Sequence, residues 1–345
     1  MARGDIRRRA AGRPAGWFPP GLALLASALI VAVGGSCGGD DDADREDASS
    51  EAERAAEAGD EERLRVAEGR PYTVQTLTET FVDESRPVED PLDDRNAPER
   101  TLVTDVYVPD GEGPFPLVVH AHGFDGNPGK HTELLTHWAE AGYVVAAPAF
   151  PLTNDLTTAE TGTRGIVDDY VNQPADVAFV IDETLRLSNG DHPVLGGRVD
   201  PERIGVSGLS LGGATLYGLV FHDCCRDGRI DAVILMSARP LHYDDGDYEL
   251  GGVPTLLLHS TDDTFVRYRE AEDAYGALDP PKFLVTLEGD EHFEPYEDVA
   301  SPFDQVVRDV TLPFWDAYLV GDDAAVDRLV EAADASDHTR ITTDR

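Results

Sequence analysis

Residues 203–213 read RIGVSGLSLGG, and no other stretch restricts the chain as much. Ile204 and Val206 belong to a buried strand, Gly208, Leu209 and Ser210 to a sharp turn, and Leu211, Ala214, Leu216 and Leu219 to a helix. A strand that runs into a helix through G-x-S-x-G holds the serine in a strained turn and projects its hydroxyl beyond the sheet edge. Gly208 and Gly212, two residues either side, leave room for the two backbones to approach closely. A helix that starts directly after Ser210 also aims unpaired N–H groups at negative charge formed there. Alone, the pentapeptide has a second reading, in which Ser210 only caps a glycine-rich strand–helix junction.

The flanking pattern favours the first. Residues 72–82 and 101–108 alternate apolar and polar, as antiparallel strands at a sheet's first edge. Residues 115–121 (FPLVVHA) and 143–147 (YVVAA) are continuous apolar runs, expected of strands buried on both faces of a parallel sheet. Residues 230–236 (IDAVILM), 255–259 (TLLLH) and 283–287 (FLVTL) add three more. Helical spacing occupies 134–141, 175–187, 267–275, 303–318 and 324–333, the last followed by a polar tail. Strand and helix alternate, which predicts an α/β fold with a mostly parallel central sheet and helices on both faces. Residues 148–173 are polar and too long for a simple connector, so they are expected to be functional or mobile.

The N-terminal part of the chain reads differently. Arg3, Arg7, Arg8, Arg9 and Arg13 precede an apolar run at 17–33, and GGSC at 34–37 follows. This resembles a bacterial lipoprotein signal with its lipobox ending on Cys37, although Gly34 stands where that pattern usually has leucine. The apolar run also suits an uncleaved anchor or simple secretion, and all three place the remainder outside the cytoplasm. Residues 38–63 hold twelve acidic and three basic residues and almost nothing to bury, which reads as a disordered acidic tether. The expected organisation is therefore signal peptide at 1–37, tether at 38–63 and one catalytic domain at 64–345.

Charge narrows the partners. Residues 1–37 carry +4 and residues 38–63 carry −9, so the remaining chain holds −34 of the net −39. Lys130 and Lys282 are its only lysines. A surface this acidic repels nucleic acid and anionic lipid alike, which leaves the N-terminal lipid as the expected link to a membrane. Cys224 and Cys225 are adjacent and either close a vicinal disulfide or remain two thiols. No Cys/His spacing marks structural zinc, and the acidic YDDGDY at 243–248 lacks the spacing of an EF-hand loop.

An activated serine needs a base, and the base needs an acid to orient it. After the strand TLLLH come Ser260, Thr261, Asp262, Asp263, Thr264, Phe265 and Val266; after FLVTL come Glu288, Gly289, Asp290, Glu291, His292 and Phe293. Together these segments resemble the α/β-hydrolase superfamily, and within it the compact esterase branch of cutinase-like, chlorophyllase-like and dienelactone-hydrolase-like enzymes and bacterial relatives of platelet-activating-factor acetylhydrolase. That branch commonly reads HG-x-x-D-x-x-V before the acid, matched by HSTDDTFV at 259–266 with Ser260 in place of glycine, and G-x-x-H-F at the base, matched at 289–293. Its HG-aromatic turn is matched by His122, Gly123 and Phe124, and the likeness runs from about residue 101 to 318.

The resemblance implies a Ser210, Asp263, His292 triad, with Asp262 as the alternative acid, and an oxyanion hole from the Leu211 and Phe124 N–H groups. It implies cleavage of carboxylic esters through an acyl-enzyme with no metal or organic cofactor, on a small-molecule or lipid-like ester. His120 and His122 precede the serine and are expected to pack or to orient the HG turn. Two other readings remain: acyl transfer to an alcohol on the same triad, and a binding lipoprotein whose catalytic machinery is vestigial. Polyester hydrolases of the branch carry a tryptophan just past the strand that follows the serine, where this chain has Ser237, Ala238, Arg239 and Pro240. No long insertion separates residues 236 and 253, so the pocket is expected to be open and to take esters with modest acyl groups.

Overall fold

The computed structural model describes residues 70–345 except 92–94 and 162–164. The expected signal peptide, lipobox at Cys37 and tether all lie outside the described residues. The strands are β1 (Val74–Asp83), β2 (Arg100–Pro109), β3 (Phe115–Ala121), β4 (Val144–Ala149), β5 (Val199–Leu209), β6 (Ile230–Met236), β7 (Thr255–Ser260), β8 (Lys282–Leu287) and β9 (Thr339–Asp344). They form a nine-stranded sheet in the order β1-β2-β4-β3-β5-β6-β7-β8-β9. From β4 to β8 the pairing is parallel, while β1, β2 and β9 pair antiparallel at the two edges.

Burial explains the apolar runs. Every residue of β3, β4, β7 and β8 is buried, because helices cover both faces of the sheet. On one face α3 (Gln173–Ser188), α4 (Leu211–Phe221) and α5 (Tyr268–Ala277) set Val177, Ile181, Leu216 and Ala271 against Leu117, Val206 and Leu257. On the other, α1 (Thr132–Glu140), α6 (Asp304–Trp315) and α7 (Ala325–Ala333) set Trp138, Val310, Phe314 and Leu329 against Val118, Ile234 and Val285. All eleven residues of α4 are buried, so the helix that follows Ser210 lies inside the molecule.

Two stretches depart from expectation. The polar tail is in part a strand: β9 pairs with β8 from Leu287↔Thr339 to Lys282↔Asp344. Its sequence, TRITTD, buries little beyond Thr339, so backbone hydrogen bonds rather than side chains hold it, and its polarity suits an exposed edge. The 148–173 stretch contains a short helix α2 (Asp155–Thr161) and a 3-10 turn at Val167–Val171. Buried ionic bonds fasten that turn to the sheet: the Arg100 guanidinium, 1% exposed, reaches Asp169 Oδ2 at 2.8 Å and Asp176 Oδ2 at 2.7 Å. Arg86 Nη2 lies 2.9 Å from Asp176 Oδ1.

The order of strands fixes where chemistry can happen. The chain winds from β3 outward to β4 on one side and from β5 to β8 on the other, so β3 and β5 flank the point where winding reverses. Loops at the carboxyl ends of strands splay apart there and leave a crevice. The turns after β3, β5, β7 and β8 all open on that edge.

Candidate active site

Ser210 sits between β5 and α4 at φ 54°, ψ −114°, a conformation that costs a non-glycine residue about 1–3 kcal/mol. The surroundings leave it no other. Its N–H donates to Met236 O at 2.9 Å. A Cβ on Gly208 would stand 2.6 Å from the Gly212 carbonyl carbon, and one on Gly212 would stand 2.1 Å from Ala121 O. Only glycine lets β5, α4 and β3 meet at these two points.

His292, buried in the loop after β8, reaches both neighbours. Its Nε2 lies 2.7 Å from Ser210 Oγ and its Nδ1 lies 2.6 Å from Asp263 Oδ2. A carboxylate only accepts, so the imidazole proton is on Nδ1 and the Nε2 lone pair faces the serine hydroxyl. Asp263 Oδ1 takes the N–H groups of Phe265 and Val266 at 2.9 and 2.8 Å. Burial pushes the Asp263 carboxyl up, but hydrogen bonds from His259, His292 and the Val266 N–H outweigh it and hold the group well below the usual carboxylate range. Asp262 is exposed and accepts from Thr261 Oγ1 at 3.3 Å, whereas the Asp263 carboxylate lies against His292.

The HG turn lies against the serine. A methyl on Gly123 would be 3.4 Å from Ser210 Cβ. Among the described residues, neither the Phe124 nor the Leu211 N–H donates to a backbone carbonyl of a turn or loop. His122 fixes the turn: its Nε2 accepts the Phe150 N–H at 3.1 Å, so its Nδ1 donates to Gly123 O at 2.7 Å. Burial lowers the His122 pKa to about 4, which keeps the ring neutral in that role. His120 packs away from the site, with Nδ1 2.9 Å from Ser207 Oγ. Among the described residues, three outside glycine hold positive φ, Asp125, Ser210 and Ser237, each just past the carboxyl end of β3, β5 or β6.

Aromatic side chains pack around His292 and the HG turn. Phe265 is 69% exposed and its ring lies 5.2 Å from that of His292 at 32°, while Phe293 meets His292 edge-on at 4.5 Å. Gly165 packs on the Phe124 ring, where a Cβ would come within 3.0 Å. Gln173 joins the 148–173 stretch to α4, donating to Thr153 Oγ1 at 2.8 Å and accepting from Thr215 Oγ1 at 2.6 Å.

Sequence reasoning left several of these residues without a role. His259 is part of the motif before Asp263, but its contact with that acid depends on how the turn folds back. The Arg100 and Gln173 bonds span the chain and leave no local signature. Cys224 and Cys225 are joined as a disulfide. With His222 they are the one group of His, Cys, Asp and Glu among the described residues whose donor atoms lie close enough to hold an ion, within 4.8 Å of one another. They follow α4, about 16 Å of helix from Ser210, and the disulfide occupies both sulfurs. Tyr243 of the acidic YDDGDY stretch is buried and packs its ring 4.9 Å from that of His222.

No protein-family profile and no curated protein matches the chain. Solved structures do match. A ferulic acid esterase from Streptomyces cinnamoneus superposes with a TM-score of 0.61 at 21% identity, over 79% of this chain and 97% of that one. Similarity at that level speaks for the fold and not for a shared substrate. With its mostly parallel nine-stranded sheet, helices on both faces and Ser210 at the reversal of winding, the chain has the α/β-hydrolase fold.

Proposed function

We propose that this chain is a serine ester hydrolase in which Ser210 is the nucleophile, His292 the general base and acid, and Asp263 the orienting carboxylate. The observation that carries the reading is the pair of bonds at 2.7 and 2.6 Å that run from Ser210 Oγ through His292 to Asp263. Ser210 Oγ attacks the ester carbonyl as its proton passes to His292 Nε2. The oxyanion is met by the N–H groups of Leu211, at the start of α4, and Phe124. Collapse expels the alcohol, protonated by His292, and leaves the acyl group on Ser210. Water, deprotonated by His292, then releases the acid and restores the serine. No step uses a metal or cofactor.

Hydrolysis is favoured over acyl transfer by the exposure of Phe265 beside His292, since transfer depends on keeping water out. The matched esterase cleaves, by its name, esters of an aromatic acid. The rings of Phe265, Phe293 and Phe124 offer an apolar face to such an acyl group, or to a modest aliphatic one. For location we keep the lipid-anchored, extracytoplasmic reading of the residues around Cys37, and the Cys224–Cys225 disulfide fits an oxidising compartment.

The test is a panel of p-nitrophenyl esters of acetate, butyrate, octanoate and ferulate, offered to the wild-type chain and to Ser210→Ala. Turnover by the wild type and its loss in a folded Ser210→Ala protein is the expected result. Turnover that persists in the variant would remove Ser210 from the reaction.

A further inference from the structure

A second histidine shares the acid. His259 is the fifth of the six residues of β7, is buried, and stands four positions before Asp263. Its Nε2 lies 2.8 Å from Val266 O and 3.3 Å from Asp263 Oδ2. Both partners are acceptors, so this nitrogen carries a proton and divides it between them. The Val266 peptide is thus held at both ends, its N–H by Asp263 Oδ1 and its carbonyl by His259. Phe265, whose N–H also goes to Asp263, lies in the turn closed in this way and carries the ring that faces His292.

We propose that His259 is a positioning residue for ester cleavage: by bridging Val266 O and Asp263 Oδ2 it aims the carboxylate at His292 and sets the height of the Phe265 ring beside the nucleophile. The proposal rests on the Ser210–His292–Asp263 reading above. His259 touches neither substrate nor the reacting atoms, and its effect passes through Asp263.

One consequence follows from the shared oxygen. Without His259 the turn loses the bond that closes it, so Asp263 and Phe265 drift from their places, and a displacement of about 1 Å near the reacting groups costs on the order of a hundredfold in rate. Tyr268 of α5 packs on the other side of His259, its ring 6.1 Å from the imidazole.

The experiment compares His259→Leu and His259→Gln with the wild type on p-nitrophenyl butyrate, with active sites counted by fluorophosphonate titration so that unfolded protein is not scored. For His259→Leu, kcat per titrated site is expected to fall about tenfold to a hundredfold with KM little changed. His259→Gln, whose amide N–H can still donate, is expected to recover most of kcat. A purely structural role lowers the number of titrated sites and the melting temperature but leaves kcat per site where it was, and that result would overturn the proposal. If His259→Leu does not fold, ¹⁵N-histidine spectra of the wild type decide: a protonated His259 Nε2 throughout the active pH range supports the bridge, and a bare one excludes it. Full activity in Ser210→Ala would instead discard the triad reading itself, an outcome separate from any behaviour of His259.

Discussion

The turn around Ser210 and the 148–173 stretch both border the proposed site, and they are held in place by different forces. Around Ser210 the constraints are local and made of backbone. Gly208 and Gly212 admit β5, α4 and β3 to within contact, and the serine's N–H is taken by the next strand at Met236 O. The 148–173 stretch has few apolar anchors near its 3-10 turn, where Val167 and Val171 are exposed. Its position depends on Asp169 and Asp176 meeting Arg100, 69 and 76 residues earlier in the chain. Backbone packing is indifferent to charge, whereas a buried ionic network fails when one member is removed. The comparison teaches that the nucleophile should tolerate changes elsewhere, while the wall beside it is vulnerable from a distance.

The sharpest separation comes from the acid turn. Asp263→Asn keeps the shape of the turn but presents an amide to His292 Nδ1, so the wrong tautomer is favoured and kcat should fall by about 10⁴. Asp262→Asn, on an exposed side chain, should change kcat little. Steady-state kinetics of the two side by side tests the choice of acid, and the reverse pattern would move it by one residue.

Arg100→Met strikes the other region. It leaves two carboxylates in a space that excludes water, at a cost of about 3–5 kcal/mol in stability. Burial already drives the Asp176 carboxyl up despite the Arg100 guanidinium, so without the arginine Asp176 takes up a proton. Urea unfolding should register the full loss, and Arg100→Met/Asp169→Leu/Asp176→Leu should restore a large part of it. Protein that remains folded should keep its Ser210 chemistry. A kcat loss as large as that of Asp263→Asn would show that the two regions are not independent.

Acid exposes a third difference. His122 and His131 are buried and neutral, with burial lowering each pKa from 6.5 to about 4. The unfolded chain binds these two protons below pH 6.5 and the folded chain does not until about pH 4, so stability falls as pH drops through that window and levels off below it. Each contributes a slope of up to about 1.4 kcal/mol per pH unit. Melting temperatures measured from pH 7 to pH 4 should decline with this sign, and His131→Leu should flatten the decline.

The smallest effect belongs to the Cys224–Cys225 disulfide. It joins neighbours and so removes little freedom from the unfolded chain. Cys224→Ser/Cys225→Ser should change stability by about 1 kcal/mol or less and leave ester cleavage near wild type. A large loss of activity would mean that the far end of α4 is coupled to Ser210.

How much of this is legible in the sequence follows the same division. The strands buried on both faces, the G-x-S-x-G junction, the HG turn and the two loops with Asp263 and His292 are local patterns, and each is read from a dozen residues or fewer. β9 escapes such reading because an edge strand made of Thr, Arg and Asp carries no apolar period. Arg100 opens β2 and looks like a solvated edge residue until the fold carries Asp169 and Asp176 over it. His259 stands in plain view before the acid, yet only the return of Val266 toward β7 gives its ring a purpose. Which of Asp262 and Asp263 lies against His292 depends on a single residue of register in a turn, held by the Asp263 carboxylate's bonds to the Phe265 and Val266 N–H groups.

The account stands on Ser210 being made nucleophilic by His292. The most direct measurement is to treat the wild-type chain with a fluorophosphonate, digest it and locate the adduct by mass spectrometry, alongside a His292→Ala control. One phosphonylated serine at position 210, absent from the control, is the predicted result. An adduct on a different serine, or equal labelling of Ser210 in His292→Ala, would contradict it.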